Sequence, residues 1–372
     1  MKKITHLING LDSGGAESVL IRLIIQDKLN EHFVISLKDD GFYGKVLDRN
    51  NVKFEKLQLD KFYNILFGIG LFKLIYLLIK FKPNTLVTWM PHSCLLGGLT
   101  GKILGIKNII WNFRGASENI NDNTLLHRII LMSCKFFQDL LPSKVVVCAN
   151  YINIIFSEYG FNTSSFTTIY NGYDTDYFSR CLKARKKFRS EFFINEDIPL
   201  IGMIARWHPQ KNHNLLIESL KRVKSKNMIF KCLLLGEGIK NESLIKKIKR
   251  SGLTENIILR GETSEISEIM SALDIHILTS RFGEGFPNVI AEAMSCGVPC
   301  IATDVGDSRY IIGNTGWIIE SNSIPAMSEK IISVIEHWKD KKDWSERSFQ
   351  ARKRIIENFQ ISQMVEKYQN LY

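Results

Sequence analysis

Short apolar runs alternate with amphipathic helical patterns along the whole chain, and this alternation restricts the fold more than any other feature of the sequence. A strand, a helix and a further strand in repeated order are typical of parallel sheets, because the crossover helix returns the chain to the start of the next strand. A polar, basic stretch at 180–195 separates two such series. The sequence therefore predicts an α/β protein with two doubly wound, Rossmann-like domains.

The predicted strands fall into two groups. In the first half they lie at 4–8, 33–37, 52–57, 85–88, 108–111, 145–148 and 166–169. In the second half they lie at 200–204, 230–235, 257–259, 275–278, 299–303 and 317–319. The main helices are predicted at 16–29, 65–81, 125–140, 152–159, 214–224, 289–295 and 325–338. Two sheets of this kind bind ligands at the carboxyl ends of their strands.

Composition excludes several classes of protein. With 45% hydrophobic and 23% charged residues, the 372-residue chain is neither disordered nor collagen-like. Its seven cysteines are odd in number and lack the paired spacing of a zinc site or a disulfide framework, so we expect reduced thiols. The start of the chain, with Lys2 and Lys3 followed at once by a strand pattern, is not a signal peptide, which favours a cytosolic protein.

The net charge of +11 is concentrated in one region. Between Lys61 and Lys144 there are ten Lys or Arg residues against three Asp or Glu residues. Such a basic region favours an anionic membrane surface or a phosphorylated substrate; nucleic acid is not expected, since the chain has no DNA- or RNA-binding motif. The same region contains the most apolar segment, 62–81, for which two interpretations stay open: a buried crossover helix, or a helix whose outer face enters a membrane surface.

Gly14 and Gly15 follow the first strand and open the first helix. Backbone N–H groups at such a helix start favour a phosphate, and glycine lets an anion approach closely. A tight turn that needs glycine is the alternative.

Arg206 and Lys211 lie in the loop after the first strand of the second domain. A guanidinium and an ammonium five residues apart around a proline turn suit the charge of a diphosphate. A solvated basic loop is the alternative for these residues.

Glu284 and Glu292 are separated by seven residues across a glycine-rich loop and the helix that follows. Their carboxylates can accept hydrogen bonds from two sets of hydroxyls on one elongated ligand, while the backbone of Gly285, Phe286, Pro287 and Asn288 places the helix start beside its phosphates. Gly236 belongs to a further glycine turn, which either lines a base pocket or is simply a turn.

Together these clusters resemble the retaining GT-B glycosyltransferases of the family-4 type, also called glycosyl transferases group 1. The resemblance rests on Gly14 to Glu17, on the loop from Arg206 to Asn212, and on Glu284 and Glu292 in their motif. The segments 171–174, 236–238 and 302–306 are also similar to turns of that family.

The resemblance implies roles for individual residues. Arg206 and Lys211 would hold the diphosphate of a nucleotide-sugar donor, and Glu284 would bind hydroxyls of the donor sugar. Glu292 would bind the ribose, and Gly14 and Gly15 would leave room for phosphate or sugar. The backbone of 286–288 would cap the phosphates. With these groups supplying positive charge, no metal and no other cofactor is expected.

The resemblance also implies the domain plan. Two Rossmann-like domains would face each other across a cleft, residues 1–180 on the acceptor side and 181–357 on the nucleotide-sugar side. A last helix, at about 358–372, would pack back on the first domain. Asp174 and Asp176 spell the Asp-x-Asp motif of another glycosyltransferase fold, but their context is not that of the metal site.

One position departs from the family. Where many members carry a histidine near the donor, this sequence has Arg114, which could contact phosphate or an anionic acceptor but cannot act as a base near neutral pH. His92 is the nearest histidine, and a structural role is the alternative for it.

The resemblance implies a metal-independent, retaining hexosyl- or N-acetylhexosaminyltransferase. We expect a UDP-sugar donor and a lipid-linked glycan acceptor in bacterial O-antigen, capsule or exopolysaccharide synthesis, at the inner face of the plasma membrane. The alternatives are a sugar-nucleotide epimerase or hydrolase of the same fold, and a non-catalytic subunit that binds sugar nucleotides.

Overall fold

The chain forms two compact units. A computed structural model describes residues 1–12, 14–59, 68–115 and 124–372. Unit 1 comprises Met1–Gly172 together with Ile361–Tyr372, and unit 2 comprises Tyr173–Gln360. Unit 2 is therefore inserted in the sequence of unit 1, which the chain leaves and re-enters once.

Unit 1 is built on a seven-stranded parallel sheet. The strand order is β3-β2-β1-β4-β5-β6-β7, which is doubly wound with a switch point between β1 and β4. The strands are β1 (Lys3–Ile8), β2 (Glu31–Ser36), β3 (Lys53–Lys56), β4 (Thr85–Trp89), β5 (Asn108–Phe113), β6 (Lys144–Val147) and β7 (Phe166–Thr168).

Helices cover both faces of this sheet. In the described part of unit 1 they are α1 (Gly15–Gln26), α2 (Gly41–Arg49), α3 (Ile69–Phe81), α4 (Pro91–Ile103), α5 (Leu125–Phe137), α6 (Asn150–Glu158) and the terminal helix (Ile361–Gln369). The terminal helix packs with α1 in one buried cluster. Helices α3 and α4 share a cluster on the other face, and α5 packs against α4.

Unit 2 repeats the same winding with six parallel strands. The order is β10-β9-β8-β11-β12-β13, so β8 and β11 meet at its switch point. The strands are β8 (Leu200–Ile204), β9 (Lys231–Leu235), β10 (Ile257–Arg260), β11 (Ile275–Leu278), β12 (Cys300–Thr303) and β13 (Trp317–Ile319). Its helices are α7 (Leu182–Glu191), α8 (His213–Ser225), α9 (Glu242–Arg250), α10 (Ile266–Ala272), α11 (Asn288–Ser295), α12 (Ser308–Ile312), α13 (Ile324–Lys339) and α14 (Lys341–Asn358).

The boundary between the units falls after Gly172, whereas the sequence placed it at 180. Residues 173–180 belong to unit 2 because their backbone is bound there. The Tyr173 N–H donates to Phe359 O at 2.9 Å, and the Ser271 hydroxyl donates to Ser179 O at 3.0 Å. The return point lies after Gln360, three residues beyond the predicted 357.

A chain of buried polar side chains crosses the core of unit 1. The Trp89 indole N–H donates to His6 Nδ1 at 3.2 Å, and His6 Nε2 lies 2.9 Å from His32 Nδ1. His32 Nε2 then lies 3.1 Å from Asp27 Oδ2. The indole can only donate and the carboxylate can only accept, so the hydrogen bonds run in one direction and fix the tautomer of both imidazoles. Burial and the neighbouring His32 hold the pKa of His6 well below its usual range.

The apolar segment 62–81 is described only from residue 68 onward. There α3 begins at Ile69, and Lys73 on it pairs with Glu55 on β3 at 2.8 Å. Leu74, Leu77 and Leu78 on the same helix are buried in unit 1. Among the described residues, every helix is too short or too polar to cross a membrane.

The cysteines are free thiols, as the sequence predicts.

Candidate active site

The switch point of unit 2 gathers the charged residues that the sequence singled out. Strands β8 and β11 are neighbours, so the loops at their carboxyl ends lie side by side. The loop after β8 carries Arg206 and Lys211, and the loop after β11 carries Ser280 and Glu284. Residues 73 positions apart are thereby brought together.

Lys211 and Glu284 form a mostly buried ion pair. The Lys211 ammonium contacts Glu284 Oε1, with the two side chains only 18% and 8% exposed. The Ser280 hydroxyl donates to the same oxygen at 2.5 Å. A charge pair buried to this extent is costly to form unless further hydrogen bonds satisfy it, and Ser280 supplies one. The sequence motif contained Ser280, but nothing in its spacing indicated this role.

The backbone of the Lys211 loop is held by the neighbouring strand end. The Thr279 hydroxyl donates to Lys211 O at 2.9 Å and to Asn212 O at 3.1 Å. The Gln210 amide donates to Gly283 O at 2.9 Å. Thr279 and Gln210 thus fix the two loops to each other, so the ion pair sits on a rigid support.

Arg206 lies five residues before Lys211 in the same loop and is exposed. None of the described residues forms a hydrogen bond or an ion pair with its guanidinium. Partial desolvation lowers the pKa of His208, and the positive charges of Arg206 and Lys211 lower it further. The loop is thus electropositive.

Two glycines allow the close approach of backbone segments around the pair. Gly306 has φ +60°, and a Cβ there would lie 2.5 Å from Glu284 O. Gly236 has φ +148°, and its Cβ would lie 2.4 Å from Ala205 O. Gly236 therefore lets the end of β9 pack against the loop that carries Arg206. Of the two interpretations of this turn, the contact supports a turn that requires glycine.

The segment from Gly285 to Glu292 leads from the ion pair into α11. Helix α11 begins at Asn288, directly after Pro287, so its first N–H groups follow the Glu284 loop. Phe286 is buried, with its ring centroid 5.3 Å from that of Phe359, and it contributes only backbone to the loop surface.

Two further residues of this segment stay partly accessible. The Tyr173 hydroxyl donates to Asn288 Oδ1 at 2.6 Å and fixes that side chain. Glu292 is half-buried, one turn into the helix.

The switch point of unit 1 has a different lining. Asn9 follows β1, and its Oδ1 accepts from the Ser93 hydroxyl at 2.7 Å, next to His92 at the start of α4. The His92 and His127 rings lie 5.3 Å apart. Partial burial lowers the pKa of both imidazoles, and His127 and Lys38 lower that of His92 further.

Gly14 and Gly15 start helix α1 as predicted, but the space beside Gly14 is occupied. A Cβ on Gly14 would lie 2.1 Å from Glu17 Oε2, because the Glu17 carboxylate folds back over the helix start. Partial burial raises the pKa of this carboxyl. A phosphate would have to displace Glu17, whereas a sugar hydroxyl can donate to it.

Arg114 is buried in unit 1 and surrounded by hydrogen-bond partners. It is 9% exposed, and its guanidinium donates to Asn112, Asn171 and Tyr368. It also stacks over Trp89, with the guanidinium carbon 5.2 Å from the ring centroid. The predicted contact of Arg114 with phosphate or an acceptor would require breaking these bonds, so we leave it out of the site proposed below.

The Asp-x-Asp sequence forms hydrogen bonds with its own neighbouring backbone. Asp174 Oδ1 accepts from the backbone N–H groups of Asp176 and Tyr177, at 3.0 Å each, and closes a turn. Within the described ranges, no three His, Cys, Asp or Glu side chains come together in a way that could hold a metal ion.

Comparison with known proteins shows what the chain is similar to. Residues 184–351, most of unit 2, match the family model described as glycosyl transferases group 1. An Escherichia coli UDP-Gal:alpha-D-GlcNAc-diphosphoundecaprenol alpha-1,3-galactosyltransferase is 24% identical over 353 residues, which cover 92% of this chain and 89% of that enzyme. Most of unit 2 is thus similar to the group 1 glycosyltransferases. An N-acetyl-alpha-D-glucosaminyl L-malate synthase from Bacillus anthracis is 26% identical over 55% of this chain, and the match spans 52% of that enzyme.

Solved structures share the fold of this chain. Anabaena HepE in complex with UDP-glucose has a TM-score of 0.84 at 19% identity and covers 100% of this chain and 99% of its own. A glycosyltransferase from Rickettsia africae has a TM-score of 0.84 at 22% identity, with 100% and 98% coverage. These neighbours and the two Rossmann-like units confirm the predicted GT-B class.

Proposed function

We propose that this protein transfers a sugar, with retention of anomeric configuration and without a metal ion, from a UDP-sugar to a lipid-linked glycan. The observation that carries the proposal is the Lys211–Glu284 pair at the switch point of unit 2, with Arg206 exposed in the same loop as Lys211. Names of similar proteins support it: the Escherichia coli relative is named for UDP-galactose and a diphosphoundecaprenol acceptor, and the Anabaena neighbour was solved with UDP-glucose.

The donor diphosphate would bind at the positive end of this site. Arg206 has an open guanidinium for a bidentate contact, and Lys211 supplies a second positive charge. The N–H groups at the start of α11 add donors on the side of Glu284. These groups stabilise the negative charge that builds on the leaving nucleotide diphosphate as the sugar bond breaks, the task that a cation performs in metal-dependent transferases.

Glu284 would bind the hydroxyls of the donor sugar. Its Oε1 is held by Lys211 and Ser280, so the carboxylate keeps a fixed orientation while it accepts from the substrate. Glu292, further along α11, would take the ribose hydroxyls. Fixed acceptors for the sugar and fixed donors for the phosphate orient the bond between them, and such positioning accounts for much of the rate in a group transfer.

A thermal-shift panel of UDP-, GDP-, dTDP- and CMP-sugars, each with magnesium and with EDTA, tests the donor site. At a ligand concentration of 100 dissociation constants, one site adds about 2.7 kcal/mol of stability. We expect a UDP-sugar to give this shift equally with EDTA. Lys211→Gln should remove the shift, and Lys226→Gln, an exposed lysine on the same unit, should keep it. A shift that needs magnesium contradicts the metal-independent mechanism.

Product analysis separates the proposed reaction from its alternatives. Proton NMR of the product with an acceptor should show the anomeric configuration of the donor. Free sugar or an epimerised nucleotide formed without an acceptor would identify a hydrolase or epimerase. Donor binding with no turnover on any lipid-linked acceptor would identify a non-catalytic subunit.

Unit 1 would receive the acceptor. Asn9, His92 and Glu17 offer hydrogen-bonding groups for sugar hydroxyls at the strand ends. His127, at the start of α5, lies beside His92. The outer face of α5 is apolar and exposed, with Phe136 80% accessible, and suits the lipid of such an acceptor.

Peripheral attachment to an anionic membrane at the cytoplasmic face is part of the proposal. Helices α3, α4 and α5 form one layer of unit 1, and each exposes large apolar side chains. These are Ile69, Phe72, Tyr76, Ile79, Ile103, Leu125, Leu126, Ile129, Met132 and Phe136. Lysines such as Lys80 and Lys102 lie on the same helices, and apolar rows with flanking positive charge bind anionic bilayers.

Vesicle flotation tests this attachment. Wild-type protein should float with phosphatidylglycerol vesicles at low salt and stay behind with phosphatidylcholine. Phe136→Ser combined with Ile129→Ser should weaken binding about 100-fold or more, since each buried large side chain contributes about 1.5 kcal/mol or more. Phe193→Ser, an equally exposed phenylalanine in unit 2, should leave it unchanged. Equal binding by all three proteins contradicts the membrane surface, whatever the result for the donor.

A further inference from the structure

Unit 2 contains a cavity at the opposite end of its sheet from Lys211 and Glu284. Its volume is about 540 Å³. Asp274, which precedes β11, and Gly297, which precedes β12, form its floor at the amino ends of those strands. Helix α14 and the segment that leads into α7 complete the wall. The proposed donor transfer makes no use of this cavity.

The carboxylates of the cavity are already neutralised. Asp274 accepts from Arg185 at 3.0 Å and from Arg189 at 3.1 Å. Glu196 pairs with Arg185 at 2.9 Å. These two acids and two arginines balance in number, and the acids also attract Arg180 and Lys341 without an ion pair to either.

Arg180 and Lys341 add positive charge to the wall. In the part of the chain that the structure describes, no residue pairs with the Arg180 guanidinium. The Lys341 ammonium lies over the Trp338 ring, 2.9 Å from its centroid, and has no carboxylate partner among the described residues. A third cation, Arg352, donates to three backbone carbonyls, those of Phe178, Ser295 and Thr175.

Arg180 and Lys341 are exposed side chains that the cavity wall desolvates in part. Partial desolvation lowers the pKa of the Arg180 guanidinium and the positive charge of Arg185 lowers it further, whereas Asp274 and Glu196 raise it. Partial desolvation likewise lowers the pKa of Lys341, and Asp274 raises it. An anion placed between Arg180 and Lys341 would stabilise both charged forms.

The wall also contains an unsatisfied hydroxyl. Ser348 is only 8% exposed, and its Oγ has no hydrogen-bond partner among the described residues. A buried polar atom of this kind marks the place of an absent partner. Phe349, one residue on, lines the cavity and is 59% exposed, so its ring offers an apolar face to a ligand.

We propose that this cavity binds a small phosphomonoester. Arg180 and Lys341 hold the phosphate from two sides, the Ser348 hydroxyl donates to it, and the organic part lies against Phe349. Two cations on different elements and a hydroxyl suit the three outward oxygens of a phosphate better than the two of a carboxylate. The proposal uses none of the residues of the donor site and does not depend on it.

Isothermal titration of the full chain with inorganic phosphate, a hexose 6-phosphate and adenosine monophosphate tests the cavity. We expect saturable binding, with the two esters tighter than inorganic phosphate because only they reach Phe349. Preference between the esters tells a sugar phosphate from a nucleotide. Arg180→Gln and Lys341→Gln should each weaken binding about tenfold, the effect of one charge-assisted contact.

Matched variants give the controls. Lys183→Gln and Lys342→Gln remove exposed lysines close in sequence that do not line the cavity, and both should bind as wild type. Lys211→Gln should also retain binding of the esters. Absence of saturable binding, wild-type binding by both cavity variants, or loss of binding in Lys211→Gln would each overturn the proposal. Unchanged circular dichroism and unfolding temperature in the cavity variants show that they fold.

Discussion

The two units wind their sheets in the same order but line the switch points differently. In unit 2 the loops at the switch point bring together Lys211, Glu284 and Arg206, all charged. In unit 1 the equivalent loops present Asn9 and Ser93, an amide and a hydroxyl, with a half-buried histidine beside them. The difference teaches that topology sets where a ligand binds, while the side chains at the strand ends set which chemistry it must have.

The units also differ in the hydrogen bonds that a buried histidine forms. His6 in unit 1 is held at both ring nitrogens, by Trp89 and His32. His276 in unit 2 has no partner for either ring nitrogen among the described residues. The same side chain is thus part of a hydrogen-bonded chain in one sheet and an isolated polar group in the other.

The largest expected effect tests the charged switch point of unit 2. Glu284→Gln should lower kcat/KM for sugar transfer by about 100-fold or more, because the neutral amide cannot hold the Lys211 ammonium or accept as strongly from sugar hydroxyls. Steady-state kinetics measures this. Glu329→Gln, an exposed acid of the same unit, should keep wild-type kinetics. Unchanged turnover in Glu284→Gln would remove the proposed asymmetry between the two switch points.

The next effect concerns the close packing that supports the pair. Gly306→Ala places a Cβ 2.5 Å from Glu284 O at φ +60°, whereas Gly252→Ala at φ +67° meets nothing within 4 Å. The left-handed conformation costs both variants about 1 kcal/mol, and crowding should cost Gly306→Ala about 2 kcal/mol more. Urea unfolding measures the difference. Equal destabilisation of the two variants would show that the loop at Glu284 is not tightly packed.

The smallest effects distinguish the two buried histidines. At pH 7, His6→Leu should destabilise the protein by about 1–3 kcal/mol, because Trp89 and His32 lose a buried partner. His276→Leu should be neutral or stabilising, because it removes an unsatisfied imidazole. Chemical unfolding of both variants at pH 7 measures these differences, and equal losses would contradict the distinction.

Acid should favour both variants relative to wild type. Burial lowers the pKa of His276 to about 3. Below pH 6.5 this imidazole therefore binds a proton in the unfolded chain and stays neutral in the folded chain. Stability is therefore lost as the pH falls, by about 1.4 kcal/mol per pH unit for each such histidine. Both variants should show a shallower loss between pH 6 and 4 than wild type. A wild-type slope in His276→Leu would mean that this imidazole is accessible to protons.

Much of the difference between the two switch points could be predicted from the sequence. Apolar runs mark buried parallel strands directly, so both sheets were predictable, and loops after strands located Arg206, Lys211 and Glu284. Spacing could not show that Ser280 donates to Glu284, since that bond depends on side-chain orientation. Nor could it show that Arg114 is enclosed by Asn112, Asn171 and Tyr368, since two of these partners lie far along the chain.

The cavity was beyond prediction for a related reason. Its wall joins Arg180, Asp274 and Lys341, residues that share no motif and come together only when α14 packs on unit 2. The sequence also could not show that the Glu17 carboxylate occupies the space beside Gly14. Glu17 lies in the same motif, where it has the position of an ordinary acidic residue in a first helical turn.

The insertion of unit 2 within unit 1 has a consequence for biosynthesis. The ribosome synthesises residues 173–360 before the terminal helix that completes unit 1. During that time the buried cluster of unit 1 lacks Ile361, Met364 and Tyr368. Synthesis of unit 2 is therefore complete before that of unit 1. A chain that ended at residue 172 would expose the apolar surface of α1 that the terminal helix covers. An isolated unit 1 should therefore be made as a fusion of 1–172 to 361–372 rather than by truncation.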